Sequence, residues 1–369
     1  MFRRLRCARI DTAFAYTLAM FSLCRCVLCV LLSWPLFVHA ADDARFPPPP
    51  GWQWGEIVVS DGAALRFGHG APADARADVL ILTGFKEFGE KYFELAHELY
   101  AAGFAVHTLD WRGQGGSTRH PDNFQKPLPV PFERHVADLH EFIEVRFANA
   151  SRPLLLIANS MGGHLAIRYL REHPGRLEAA ALSVPMMDVV TDPVPRWTLR
   201  ILAAMAVWAG RGDAYLPGQD DWPNRRKGVA TRAAASRPLS SDPGRGRVHG
   251  LYFRDRPELR VGGPTYAWIH HAFESIDRSS EPGYLEDIDR PVLMGIAGRD
   301  AFVVPDAARQ ACARMPACRA FEVADAFHEL WMEADTVRGA WHDAVFTFLA
   351  EHVDSERRCS RAFRHSICR

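Results

Sequence analysis

The sequence carries no surplus of charge. Its 44 lysines and arginines are matched by 44 aspartates and glutamates, with no basic stripe and no long block of one sign. A nucleic-acid partner, which needs a basic footprint, is not expected. Internal repeats are absent, which excludes a repeat architecture, and the one low-complexity tract is the proline run at residues 47–50. None of the four cysteines beyond the first forty residues, Cys312, Cys318, Cys359 and Cys368, has the Cys-x-x-Cys spacing of a zinc or redox site. No cysteine follows a lipobox-like stretch, so a lipoprotein is not expected either. The pair His328-Glu329 could open a zinc-binding helix, but Met332 stands where the second histidine is needed. No metal and no other cofactor is therefore anticipated.

What is present is apolar bulk. With 369 residues and 48% hydrophobic content, the chain can bury a large core, as one domain carrying an insertion or as two smaller domains. The first forty residues stand apart. Arg3, Arg4, Arg6 and Arg9 make a basic opening, residues 26–38 (CVLCVLLSWPLFV) are a compact apolar run, and Val38-His39-Ala40 precedes Ala41-Asp42-Asp43. That is the pattern of an export signal cut after Ala40, giving a periplasmic or secreted protein. The alternative is an uncleaved anchor: residues 13–38 are long enough to span a membrane if Arg25 is tolerated. A charge at mid-membrane costs about 3 kcal/mol, which favours cleavage. The mature chain would hold 39 basic and 43 acidic residues and keep Cys312, Cys318, Cys359 and Cys368. An even set in an exported chain suggests disulfides. Three pairings are open, of which the local ones, Cys312 with Cys318 and Cys359 with Cys368, are the simplest.

Beyond the leader, apolar runs bounded by turn residues alternate with helical patterns. ADVLILTG (77–84), FAVHTLD (104–110), PLLLIANS (153–160), AAALSVP (179–185), PVLMGIAG (291–298) and RAFEVAD (319–325) read as strands buried on both faces. Amphipathic helices are expected at 90–103, 131–150, 161–175, 305–315 and 337–353. Residues 55–70 look like a leading hairpin. The alternation specifies an α/β fold, a mostly parallel sheet flanked by helices. It breaks between two late strands, where residues 186–287 read as a helical cap. The expected organisation is export segment 1–40, core 41–185, cap 186–287, core 288–354 and a cysteine-containing tail 355–369.

A serine hydroxyl is a poor nucleophile until a base, an orienting acid and oxyanion donors surround it. Ser160 lies in Ala158-Asn159-Ser160-Met161-Gly162, where a buried strand runs into a helix and small residues permit a strained elbow. Asp300 and His328 each follow a later strand, so Ser160, Asp300 and His328 would leave one sheet edge in the order that such an elbow requires. Asp188 is the rival for the acid. The oxyanion donors would be the amides of Met161 and Phe85. In the cap, Trp197, Trp208, Trp222, Tyr215, Tyr266 and Trp268 are either acyl-channel lining or the cap's own core.

TGFKEFGEKYFELA, LDWRGQGGSTR, ANSMGGH, GRDAFVVP and AFHELWME, in that order, resemble the lysophospholipase and monoacylglycerol lipase branch of the α/β-hydrolases, the serine aminopeptidase S33-like group. GDAYLPG, PLSSDPGR and GGPTYAW are similar to cap segments of bacterial lysophospholipase L2-like proteins. The likeness covers roughly residues 51–353. It departs at Ala158-Asn159, where the family usually has Gly-His, and at Phe85, where bacterial relatives often carry Arg. The resemblance implies a serine hydrolase of small acyl esters or lysolipids, acting through an acyl-enzyme and meeting the membrane surface through its substrate. Two other classes stay open. An aminopeptidase of the same fold would need a cap acid for the substrate amine, such as Asp220 or Asp221. A non-catalytic binding protein would need no triad.

Overall fold

The structure, a computed structural model, describes residues 45–223 and 238–367, with side chains to Val353 in the closing helix. The expected export segment and the Cys359–Cys368 pairing lie outside the described residues. No helix among those described is long and apolar enough to cross a membrane.

Eight strands form one sheet in the order β1-β2-β4-β3-β5-β6-β7-β8. β1 (Gln53–Val58) and β2 (Ala64–Gly70) are the leading hairpin, paired from Gln53 opposite His69 to Val58 opposite Ala64. β2 also lies antiparallel to β4 (Phe104–Leu109), and it alone runs against the rest. β3 (Ala77–Leu82), β4, β5 (Leu154–Asn159), β6 (Ala179–Ser183) and β7 (Val292–Ala297) are buried at every residue. Apolar runs of this kind stay insoluble unless both faces are covered, and helices cover them. These are α1 (Phe93–Ala101) on β4, α3 (Met161–Glu172) on β5 with α2 (Phe132–Arg146) against it, α7 (Pro305–Arg314) on β7 and β8, and α8 (Asp335–Ile367) on β6 to β8.

β8 (Cys318–Val323) departs from expectation. It is one of the two edge strands, and only Val323 is buried while Arg319, Ala320 and Glu322 face solvent. One neighbour instead of two accounts for the difference. A disulfide joins Cys312 near the end of α7 to Cys318 at the start of β8, with Cα atoms 5.3 Å apart.

Between β6 and β7 lie α4 (Arg196–Trp208), α5 (Arg245–Asp255) and α6 (Tyr266–Ser280). α4 packs on α6 through Ala203, Ile269 and Phe273, whereas Val248, Tyr252 and Phe253 of α5 close around Phe88 from the turn after β3. The aromatic residues of this segment divide. Trp222 packs edge-on against Phe253, Tyr266 joins the α4–α6 cluster, and Trp268 stacks on Phe85. Trp197 and Trp208 belong to neither a core nor a channel: they are 67% and 90% exposed.

Candidate active site

Ser160 sits between β5 and α3 with φ 50°, left-handed backbone that a non-glycine residue adopts only when its surroundings enforce it. The enforcement is visible. Its amide donates to the Ser183 carbonyl at 2.9 Å, and its own carbonyl accepts from His164 and Met186 at 3.1 and 3.0 Å. The turn must also lie against β3. A Cβ on Gly162 would come within 2.5 Å of the Thr83 carbonyl, so no larger residue fits there. Ser160 keeps 8% exposure at the mouth of this corner.

His328 lies in the loop after β8. Its Nε2 is 3.1 Å from Ser160 Oγ, and its Nδ1 is 2.7 Å from Asp300 Oδ2. Asp300 is fixed in turn, since its Oδ1 accepts the amides of Phe302 and Val303 at 2.8 and 3.0 Å. Burial opposes a charge on His328, but Asp300, with Glu329 and Glu87 behind it, outweighs burial and raises the imidazole above its ordinary value. The structure thus brings the three expected side chains into one hydrogen-bonded line. Asp188 is placed elsewhere: its Oδ1 accepts from Arg196 Nε at 2.9 Å and from the Val189 amide.

Phe85 and Met161, the expected amide donors, flank the same corner. Among the described residues neither amide donates to a protein acceptor. The Phe85 ring lies 4.3 Å from that of Trp268. Asp221 is occupied, accepting from Tyr215 Oη at 2.6 Å and Asn123 Nδ2 at 2.9 Å, and Asp220 Oδ1 caps the Asp221 amide.

Two supports of this site have no counterpart in the sequence reading. Behind the serine lies a buried ionic bridge. Lys91 Nζ donates at 2.6 Å to Glu87 in the turn after β3 and at 2.6 Å to Glu329 in the histidine loop. Glu87 also accepts from Tyr92 Oη at 2.6 Å, from the Gly84 amide, and from Asn159 beside the serine at 3.3 Å. Burial works against the Glu87 carboxylate, but Lys91, Tyr92 and the Gly84 amide hold it down to about 2, whereas burial leaves Glu329 raised. The second support is the PLSSDPGR stretch. Leu239 accepts the Glu329 amide at 2.8 Å, and Ser241 and the Phe327 amide both bond the fully buried Glu333. The histidine loop is thereby clamped to the segment between β6 and β7.

Over residues 73–335 the chain matches the family model described as serine aminopeptidase, S33. The chain belongs to the S33 serine aminopeptidase family. This S33 family member is 29% identical to Lysophospholipase L2 of Escherichia coli strain K12 over 307 residues, 80% of this chain and 87% of that protein. It is 31% identical to the Monoacylglycerol lipase of Mycolicibacterium smegmatis over 152 residues, 39% of this chain and 48% of that one. Among solved structures, a soluble variant of monoglyceride lipase from Saccharomyces cerevisiae superposes with a TM-score of 0.63 at 20% identity, covering 83% of this chain and 99% of that one. A carboxyl esterase from Bacillus coagulans gives 0.62 at 14% identity, covering 82% and 99%. The shared fold is that of the α/β-hydrolases.

Proposed function

We propose that this chain hydrolyses carboxylic esters of small lipids, in the manner of a lysophospholipase or monoacylglycerol lipase, through a Ser160-His328-Asp300 triad. The observation that carries the reading is His328, which touches Ser160 with one ring nitrogen and Asp300 with the other. Ser160 Oγ attacks the ester carbonyl as His328 Nε2 takes its proton, and Asp300 holds the tautomer and the imidazolium. The carbonyl oxygen becomes an oxyanion facing the Phe85 and Met161 amides. The intermediate collapses, the C–O bond breaks, and His328 returns its proton to the departing alcohol, leaving an acyl-enzyme. Water then adds to the acyl carbon with His328 again as base, and the fatty acid leaves as Ser160 regains its proton.

An aminopeptidase is supported less well, because the candidate acids Asp221 and Asp220 are spent on Tyr215, Asn123 and a backbone amide. The segment between β6 and β7 serves in this reading as the cap over the serine. Contact with a lipid surface belongs to the same reading: Trp197, Ile201, Met205 and Trp208 recur at helical spacing on α4, with Leu202 beside them, and all five are exposed. Export is part of the proposal too, supported by the Cys312–Cys318 disulfide, which fits an oxidising compartment.

The test is steady-state hydrolysis of a monoacylglycerol, a lysophospholipid and an aminoacyl amide by wild type and by Ser160→Ala. Fatty-acid release that the variant loses is expected. Turnover of the amide alone would move the assignment to a peptidase, and ester turnover that survives the substitution would remove Ser160 from the mechanism.

A further inference from the structure

Among the described residues, one cation beside the site pairs with no carboxylate. Lys86 lies in the turn after β3, between Phe85 and Glu87, with φ 70° and its amide held by Gln114 Oε1 at 3.2 Å. The conformation is uncommon for a lysine, so the turn's geometry rather than the residue's preference decides where this side chain starts. Its ammonium lies 5.9 Å from the centroid of the Phe85 ring, which itself stacks on Trp268.

The side chain is half-buried, and among the described residues no carboxylate pairs with it. The nearest acid in sequence, Glu87, is turned away and engaged by Lys91, Tyr92 and Asn159. The nearby His249 of α5 is kept neutral, its pKa pushed by burial to about 3. Lys91, five residues on, shows the contrast: it is fully buried and held between two carboxylates. Burial with no compensating anion lowers the Lys86 ammonium to about 8, which still leaves it mostly protonated at neutral pH. A half-buried cation with no carboxylate partner among the described residues is well suited to a charged ligand.

We propose that Lys86 is a subsite for an anionic group on the alcohol side of the substrate, placed for the phosphate of a lysophospholipid headgroup. This rests on the esterase reading above, and the Phe85 amide that would receive the oxyanion is one residue away. In a lysophospholipid only the glycerol carbons separate the scissile ester from the phosphate. An ester carbonyl at the Phe85 amide therefore carries its phosphate within a lysine's reach. A monoacylglycerol offers no such group.

The experiment compares 1-oleoyl-sn-glycerol 3-phosphate with 1-oleoylglycerol, same acyl chain, in mixed micelles at fixed surface dilution. Wild type, Lys86→Met and Lys86→Arg are assayed, and inorganic phosphate is added as a competitor in a parallel arm. The specificity ratio, kcat/KM for the phosphate ester over that for the neutral one, is expected to fall at least about tenfold in Lys86→Met, the worth of one hydrogen bond to a charged group. It should recover in Lys86→Arg, with the change in KM rather than kcat. Competition by inorganic phosphate that Lys86→Met abolishes would place free phosphate in the same subsite. A ratio unchanged in Lys86→Met, with both esters still cleaved, overturns the subsite and leaves the esterase reading standing. Wild type that cleaves neither ester overturns the esterase reading and the subsite with it.

Discussion

Replacing Lys91 by methionine keeps an unbranched apolar stem but removes the ammonium with its charge and its two hydrogen bonds, leaving Glu87 and Glu329 buried together without a cation. In the wild type Glu87 is held down to about 2. Its contribution to stability is therefore present above the unfolded carboxyl pKa and is lost as pH falls through the folded value. In Lys91→Met the sign reverses. A buried carboxyl beside a second one is raised, the folded state binds more protons than the unfolded chain, and stability falls as pH rises. The cost is capped by protonation. Holding one carboxyl neutral when its unfolded pKa is about 4.3 costs about 1.4 kcal/mol per pH unit, hence about 3.7 kcal/mol at pH 7 and about 1.6 kcal/mol at pH 5.5. The larger figure lies within the 3–5 kcal/mol known for breaking buried ion pairs, and is roughly a third of a typical domain's stability. Urea unfolding of the full chain, followed by tryptophan fluorescence at the two pH values, measures the gap directly. A gap below about 1 kcal/mol at both pH values, or one that does not grow with pH, would refute the placement of Lys91 between two ionisable acids.

Three further outcomes are expected. Asp300→Asn should lower kcat by about 10⁴-fold while the thermal midpoint moves little, because the imidazole loses its tautomer rather than its place; a loss under about tenfold would return the acid role to Asp188 or another group. The rising limb of kcat/KM against pH should have its midpoint above the ordinary histidine value of 6.5, since the base must be neutral and Asp300, Glu329 and Glu87 raise it. In Asp300→Asn that midpoint should drop, and a limb that stays put would assign it to a different group. The double variant Cys312→Ser, Cys318→Ser should lose about 2 kcal/mol of stability, the entropy of one short closed loop, and its thermal midpoint should no longer respond to reductant.

The buried strands were legible because each is a continuous apolar run, and Ser160, Asp300 and His328 because each follows a strand-forming stretch in the order that an elbow requires. β8 misled because RAFEVAD has strand-forming residues without a signal of how many neighbours the strand will have. The Lys91 bridge could not be read at all. Lys91 and Glu329 are 238 residues apart in the chain, and nothing local marks a lysine as destined for two carboxylates. Glu333 and Ser241 are hidden for the same reason. The exposed face of α4 did carry a signal, in the positions 197, 201, 205 and 208. Periodicity alone, however, does not say whether an apolar stripe meets the core or the outside.

The central claim is that Ser160 is a nucleophile activated by His328. Its most direct test is treatment of the folded protein with a fluorophosphonate, followed by peptide mass spectrometry and residual ester hydrolysis in the same samples. The account predicts one adduct per chain, on Ser160, with activity lost in proportion and no labelling of His328→Ala. An adduct on another residue, or full labelling with hydrolysis intact, would contradict it.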